Sequence, residues 1–119
     1  MHTTTTTGLT HLTTADLDHL PWQDVVGCPG VRTKELWHSG GSVDALISYA
    51  PGATTPGHPH PSADHHIWVT EGQAWIAGHL MTSGSYAYVP PDTPHPIEAN
   101  GYTRCVLLQI HRPRSTAHA

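Results

Sequence analysis

Charged side chains are scarce in this chain of 119 residues: Asp, Glu, Lys and Arg together supply 12%, about half the usual share. Its five Lys and Arg form no basic stripe, and the formal net charge is −4 with histidine neutral. Nucleic acid is therefore not an expected partner. Long apolar runs are missing too. None approaches the roughly 20 residues that a membrane-spanning helix needs, so no membrane partner is expected. Met1-His2 is followed by five threonines, with neither the basic start nor the apolar stretch of a signal peptide. The cytoplasm is the expected location. Cysteine is limited to Cys28 and Cys105, too few and too far apart in sequence for a disulfide framework. Cys28, beside Pro29 and Gly30, reads as a plain loop thiol. Cys105 lies in an apolar run and reads as core.

Gly and Pro, by contrast, contribute 11 residues each. Short strands joined by many turns use such a composition, and long helices do not. The length suits one domain with one modest core. Residues 1–14 are Thr-rich with little to bury and are expected to form a disordered arm, leaving 15–113 as a single domain. Residues 15–20 allow one helical turn before Pro21 stops it. Strands are expected over 31–37, 43–50, 65–71, 73–77, 85–89 and 102–111. The punctuation between them is His38-Ser39-Gly40-Gly41, Pro51-Gly52, Gly72, Gly84, Pro90-Pro91 and Asn100-Gly101. Gly72 reads as a turn into a returning strand, and Asn100-Gly101 as a hairpin. With no helical periodicity and turns every 8–12 residues, the chain reads as an all-β sandwich or barrel.

Histidine is the outlier, with 12 copies against two Met. His2, His11, His19 and His118 lie in or near the tails and read as solvated. The cluster at 58–66 differs. His58 and His60 are one residue apart and point the same way from an extended segment. His65 shares a strand face with apolar Ile67 and Val69, which makes that face the inward one. His66, Trp68 and Thr70 face the other way. His95 follows the turn Pro91-Asp92-Thr93-Pro94. Any one of these could be a polar loop histidine. Together, histidines on adjacent strands are what a mononuclear metal site needs, because rigid strands hold imidazoles in a convergent fan.

The pattern resembles the cupin superfamily. Its first motif, Gly-x5-His-x-His-x3–4-Glu-x6-Gly, matches Gly52, His58, His60, His65 and Gly72, with His65 in the glutamate place. Its second, Gly-x5-Pro-x-Gly-x2-His-x3-Asn, matches Gly84, Pro90 and His95, with Asp92 for the glycine and Ala99 for the asparagine. The six-residue spacing to Gly72 favours His65 over His66. The resemblance covers about residues 43–111. Upstream, Pro21-Trp22, Pro29-Gly30-Val31 and Lys34-x-Leu36 look like the lead-in of cupins akin to zinc-binding anti-sigma factor domains and acetylacetone-cleaving dioxygenases. The resemblance implies a jelly-roll β-barrel holding one divalent transition metal, Zn, Fe, Mn, Ni or Cu, with His58, His60, His65 and His95.

Four neutral imidazoles would leave the full 2+ charge of such an ion uncompensated and favour an anionic oxygen ligand such as an enolate. Three functions follow from the resemblance. One is an enzyme on a small enolisable or β-dicarbonyl-like molecule, either a dioxygenase or a cyclase or isomerase. Another is a metal- or ligand-sensing domain, and the third a barrel with a vestigial site. Candidates to assist at the metal are Cys105 and Gln109, if they face inward, and Glu98 near His95. Glu98 and Asp92 are expected on the rim, and Glu71 and Asp64 as solvated strand-end charges. Tyr49, Tyr86, Tyr88, Trp37 and Trp75 could line a pocket, though core is the plainer reading. An outward Trp68 suggests a two-fold homodimer through that face, with the Thr-rich arm or residues 15–30 as the competing cover.

Overall fold

Alternation of apolar and polar side chains decides which way each strand faces, and the structure follows it closely. The computed structural model describes residues 8–59 and 62–114. In chain order its elements are α1 (Thr14–His19), β1 (Gln23–Asp24), β2 (Val31–Ser39), β3 (Ser42–Tyr49), β4 (Thr54–Thr55), β5 (Ala63–Glu71), β6 (Gln73–Ile76), β7 (His79–Thr82), β8 (Tyr86–Val89), β9 (Ile97–Ala99) and β10 (Cys105–Pro113). Along β5, Ala63, His65, Ile67 and Val69 are buried while Trp68 and Thr70 are exposed. That is the period of two expected of a half-buried strand.

Two antiparallel sheets result, one ordered β1-β2-β3-β10-β5-β8 and the other β4-β9-β6-β7. Their facing sides make the core, with Val31, Tyr49, Ile67 and Leu107 from the large sheet against Ala74, Ile76, Ile97 and Ala99 from the small one. The fold is an all-β jelly roll. Among the described residues no helix is long and apolar enough to cross a membrane.

Two turns differ from their sequence reading. Gly72 does not fold β6 back onto β5: β6 pairs with β7 and β9, so the chain changes sheet there. A Cβ at Gly72 would stand 2.1 Å from the Arg104 carbonyl oxygen, so the crossing needs glycine at φ +72°. Asn100-Gly101 is likewise no hairpin. β9 pairs with β4 and β6, and β10 with β3 and β5. The Asn100 side-chain oxygen accepts from the backbone N–H of Tyr102 and of Thr103, each at 2.9 Å, so these residues belong to the turn and β10 starts at Cys105. The strands at β1, β4, β7 and β9 had no forecast.

At the other end, residues 1–7 of the Thr-rich arm lie outside the described residues. Thr13 caps α1: its hydroxyl accepts from Asp16 N at 3.1 Å, and Asp16 accepts from Thr13 N at 2.9 Å. Lys34 of β2 donates to the Leu17 carbonyl at 2.8 Å and lies 4.6 Å from the Trp22 ring centre. The N-terminal segment thus covers the outer face of the large sheet at β2. Trp68, on β5, stays 38% exposed.

Candidate metal centre

His65 and His95 are the two buried histidines of the chain's described part, 2% and 5% exposed. β5 aims His65 inward because Ile67 and Val69 pin the same face to the core. His95 ends the loop after β8, where Asp92 adopts φ +62°, a left-handed conformation that Asp can take in place of glycine. The His95 Nδ1–H donates to the Thr93 carbonyl at 3.0 Å. In the neutral ring this puts the lone pair on Nε2, the form that binds a metal. The two rings lie 5.2 Å apart, centre to centre.

His58 sits on the extended segment after β4. That segment is tied to His95 by the His95 backbone N–H, which donates to the Gly57 carbonyl at 2.9 Å. His58 is exposed on its outer side and shares a cavity wall with His95. His60 lies outside the described residues. Among the described residues, no three His, Cys, Asp or Glu side chains already stand as a ligand set. His66 points to the opposite side, where its Nδ1 is 2.6 Å from the Tyr86 hydroxyl.

A further histidine joins the cluster. His111 on β10 is the register partner of His65, with ring centres 4.7 Å apart and His111 Nδ1 2.6 Å from His65 Nε2. A signal for it existed in the sequence. Cys105, Leu107 and Gln109 share one face of that strand, and the next member of the series is His111.

The cavity beside His95 has a volume of about 320 Å³ and is mainly apolar, with Val31, Ile47 and Ile97 among its walls and Tyr49, His58 and Gln109 as polar members. Burial pushes the Tyr49 hydroxyl up to about 12, so it keeps its proton at neutral pH, and it bonds Thr55 Oγ1 at 3.0 Å. A larger recess of about 560 Å³ lies on the outside of the small sheet, between Trp75, Pro56 and Glu98. It holds no histidine, so the smaller cavity has the chemistry.

The assisting candidates separate cleanly. Gln109 faces the cavity. Cys105 is fully buried within the core, where burial pushes its thiol up to about 11, and it does not line the cavity. Glu98 is outside, because Ile97 and Ala99 take the inward positions of β9. Asp92 is exposed, and Glu71 and Asp64 pair with Arg104 and Arg114. Of the five aromatics considered for the pocket, only Tyr49 is inside; Trp37, Trp75, Tyr86 and Tyr88 are exposed. The Arg114 guanidinium and then the Tyr88 hydroxyl hold the Asp64 carboxyl down at about 2, committing its charge to the outer face. Imidazole nitrogens and an apolar wall, with no carboxylate among the described residues of the cavity, fit a divalent transition ion and fit Ca²⁺ or Mg²⁺ poorly.

Residues 10–114 match the family described as the ChrR cupin-like domain. The chain is a member of this cupin family. The cupin fold is equally plain in solved structures. An RmlC-like cupin from Shewanella frigidimarina is 21% identical with a TM-score of 0.72, covering 89% of this chain and 93% of that one. The polyketide cyclase RemF from Streptomyces resistomycificus is 18% identical with a TM-score of 0.70, covering 86% and 83%. A chain in the Rhodobacter sphaeroides complex of SigE with the anti-sigma ChrR is 21% identical with a TM-score of 0.69, the match covering 81% of this chain and 50% of that one. No curated protein matches the chain by sequence.

Proposed function

We propose that this cupin is a metal-dependent enzyme on a small enolisable or β-dicarbonyl-like molecule, with His58, His60, His65 and His95 holding one divalent transition ion. The observation that carries the reading is the pair of buried imidazoles, His65 and His95, set beside a mainly apolar cavity of small-molecule size. When bound, the ion would supply Lewis-acid polarisation of a carbonyl or, with a redox metal, oxygen chemistry. The chain's own residues have narrower tasks. Thr93 fixes the His95 tautomer. Val31, Ile47 and Ile97 exclude water from the cavity. Gln109 offers an amide to a substrate oxygen, and Tyr49 holds its proton on the same wall.

Similarity to a polyketide cyclase supports the enzyme, and the ChrR family supports a second reading as a metal- or ligand-sensing domain. Cytoplasmic residence and a two-fold homodimer complete the proposal. Trp68 and Tyr86, 38% and 45% exposed and 4.6 Å apart, form an aromatic patch on the outer sheet face.

Metal analysis of protein purified without a histidine-affinity column, followed by oxygen uptake, tests the reading. His65→Ala and His95→Ala should lose most of the metal and His66→Ala almost none. Oxygen uptake by the Fe(II) form with β-diketones or flavonol-like compounds marks a dioxygenase, and turnover with zinc alone a cyclase or isomerase. Full metal content in His65→Ala would overturn the assignment, and stoichiometric metal without turnover of such substrates favours the sensor.

A further inference from the structure

His111 is the member of the imidazole cluster that neither histidine motif accounts for. Its place is fixed by the ladder, which sets it opposite His65 with both side chains on the inner face of the large sheet. The contact is specific to two atoms. His111 Nδ1 and His65 Nε2 are 2.6 Å apart, a separation that two ring nitrogens reach when one supplies a proton and the other a lone pair. A proton shared by two imidazoles and a cation held by two imidazoles use the same pair of lone-pair directions. The nitrogen of His65 that meets His111 is also its outermost ring atom, the one that a strand-borne imidazole presents to the barrel interior.

We propose that His111 binds the same metal ion as His65, through Nδ1, so that the last strand contributes a fifth imidazole to the centre. This rests on the metal-centre reading above. The geometry is close to what ligation demands. With metal–nitrogen distances of about 2.1 Å, neighbouring ligand nitrogens of a five-ligand centre stand about 3.0 Å apart at right angles and about 3.6 Å apart at 120°. The observed pair therefore has to part by only about 0.4–1.0 Å, a small rotation of a ring that is half-buried. The His95 ring centre is 5.2 Å from that of His65, so a third imidazole stands beside the pair. The rival role for His111 is positioning: a hydrogen bond that orients His65 without touching the metal.

Zinc titration against a competing chelator separates the two, applied to the whole chain as wild type, His111→Ala and His111→Asn. Asparagine places an amide near the Nδ1 position and preserves a hydrogen bond to His65, but it is a poor zinc ligand. Ligation predicts that both variants bind zinc more than about 100-fold more weakly, beyond the roughly 10–100-fold loss from an outer partner. It also predicts that the Cu(II)-loaded protein loses the hyperfine coupling of one nitrogen in both variants. Wild-type affinity and an unchanged copper spectrum in His111→Asn would make His111 a positioning residue and overturn the proposal. Should His111→Ala fail to fold, the asparagine variant, checked by circular dichroism, decides alone. A folded wild type that binds neither zinc nor copper removes the metal centre itself. Wild-type binding with both variants equal to it removes only the fifth ligand.

Discussion

Tyr49 and Cys105 illustrate how burial, not a neighbouring charge, quiets an acid. In both, loss of solvent is the leading cause of the shift, taking Tyr49 to about 12 and Cys105 to about 11. Each folded value is raised, so the stability these groups contribute is complete below their ordinary values of 10 and 9 and is lost as pH rises toward 12 and 11. Urea midpoints should therefore hold level through neutrality and fall from about pH 9 upward. Thiol counting checks the Cys105 half. At pH 8 the native protein should show one reactive thiol, Cys28, and two after unfolding. Cys28→Ser should show none until it unfolds, and prompt labelling of Cys105 in that variant would contradict its burial. The core role of Cys105 was legible because its neighbours are apolar. The inward series of Cys105, Leu107 and Gln109 leads to His111, but what it meets there, His65, stands 46 positions away and only the cross-strand register brings the two together.

At the scale of elements, the segment carrying His58 is set by a glycine. Gly57 has φ +63°, and a Cβ there would lie 2.1 Å from the His95 carbonyl carbon and oxygen. Gly57→Ala should destabilise the protein by about 1–3 kcal/mol or more, from backbone strain plus the clash. It should also weaken zinc binding, because it drives the His58 segment away from His95. Gly52→Ala, at φ +76° with nothing within 4 Å, carries the strain alone and should keep the zinc site. Denaturation curves and zinc titrations on both variants read the difference; equal zinc affinity would show that the approach of Gly57 to His95 does not shape the site. The β5 alternation, and with it the opposite faces of His65 and His66, was legible because a period of two needs only local information. The destinations of the chain at Gly72 and Asn100 were not. Both carry sound turn chemistry, but which sheet receives the next strand depends on distant edges. β4 and β9 were too short, at two and three residues, to show a period at all.

For the whole molecule, the outer face of the large sheet is the place where a small barrel has most to gain. α1 and Trp22 shelter β2 through Lys34, whereas Trp68, Tyr86 and Tyr88 remain open on β5 and β8. A charge on that patch should separate a dimer without disturbing the core. Light scattering on Trp68→Glu is the check. A wild-type dimer that becomes a folded monomer supports the interface, and an unchanged dimer removes it. The sheet order carries a different consequence. β3 and β5 are neighbours only through β10, which bonds to both and is synthesised after both. A ribosome therefore releases two strands with open edges and an inward histidine before it makes the strand that joins them. Closure waits on a contact of long sequence separation, a slow kind of step. Until then the emerging chain has no His111 to set against His65, so the cluster is assembled at the end of folding rather than used to start it.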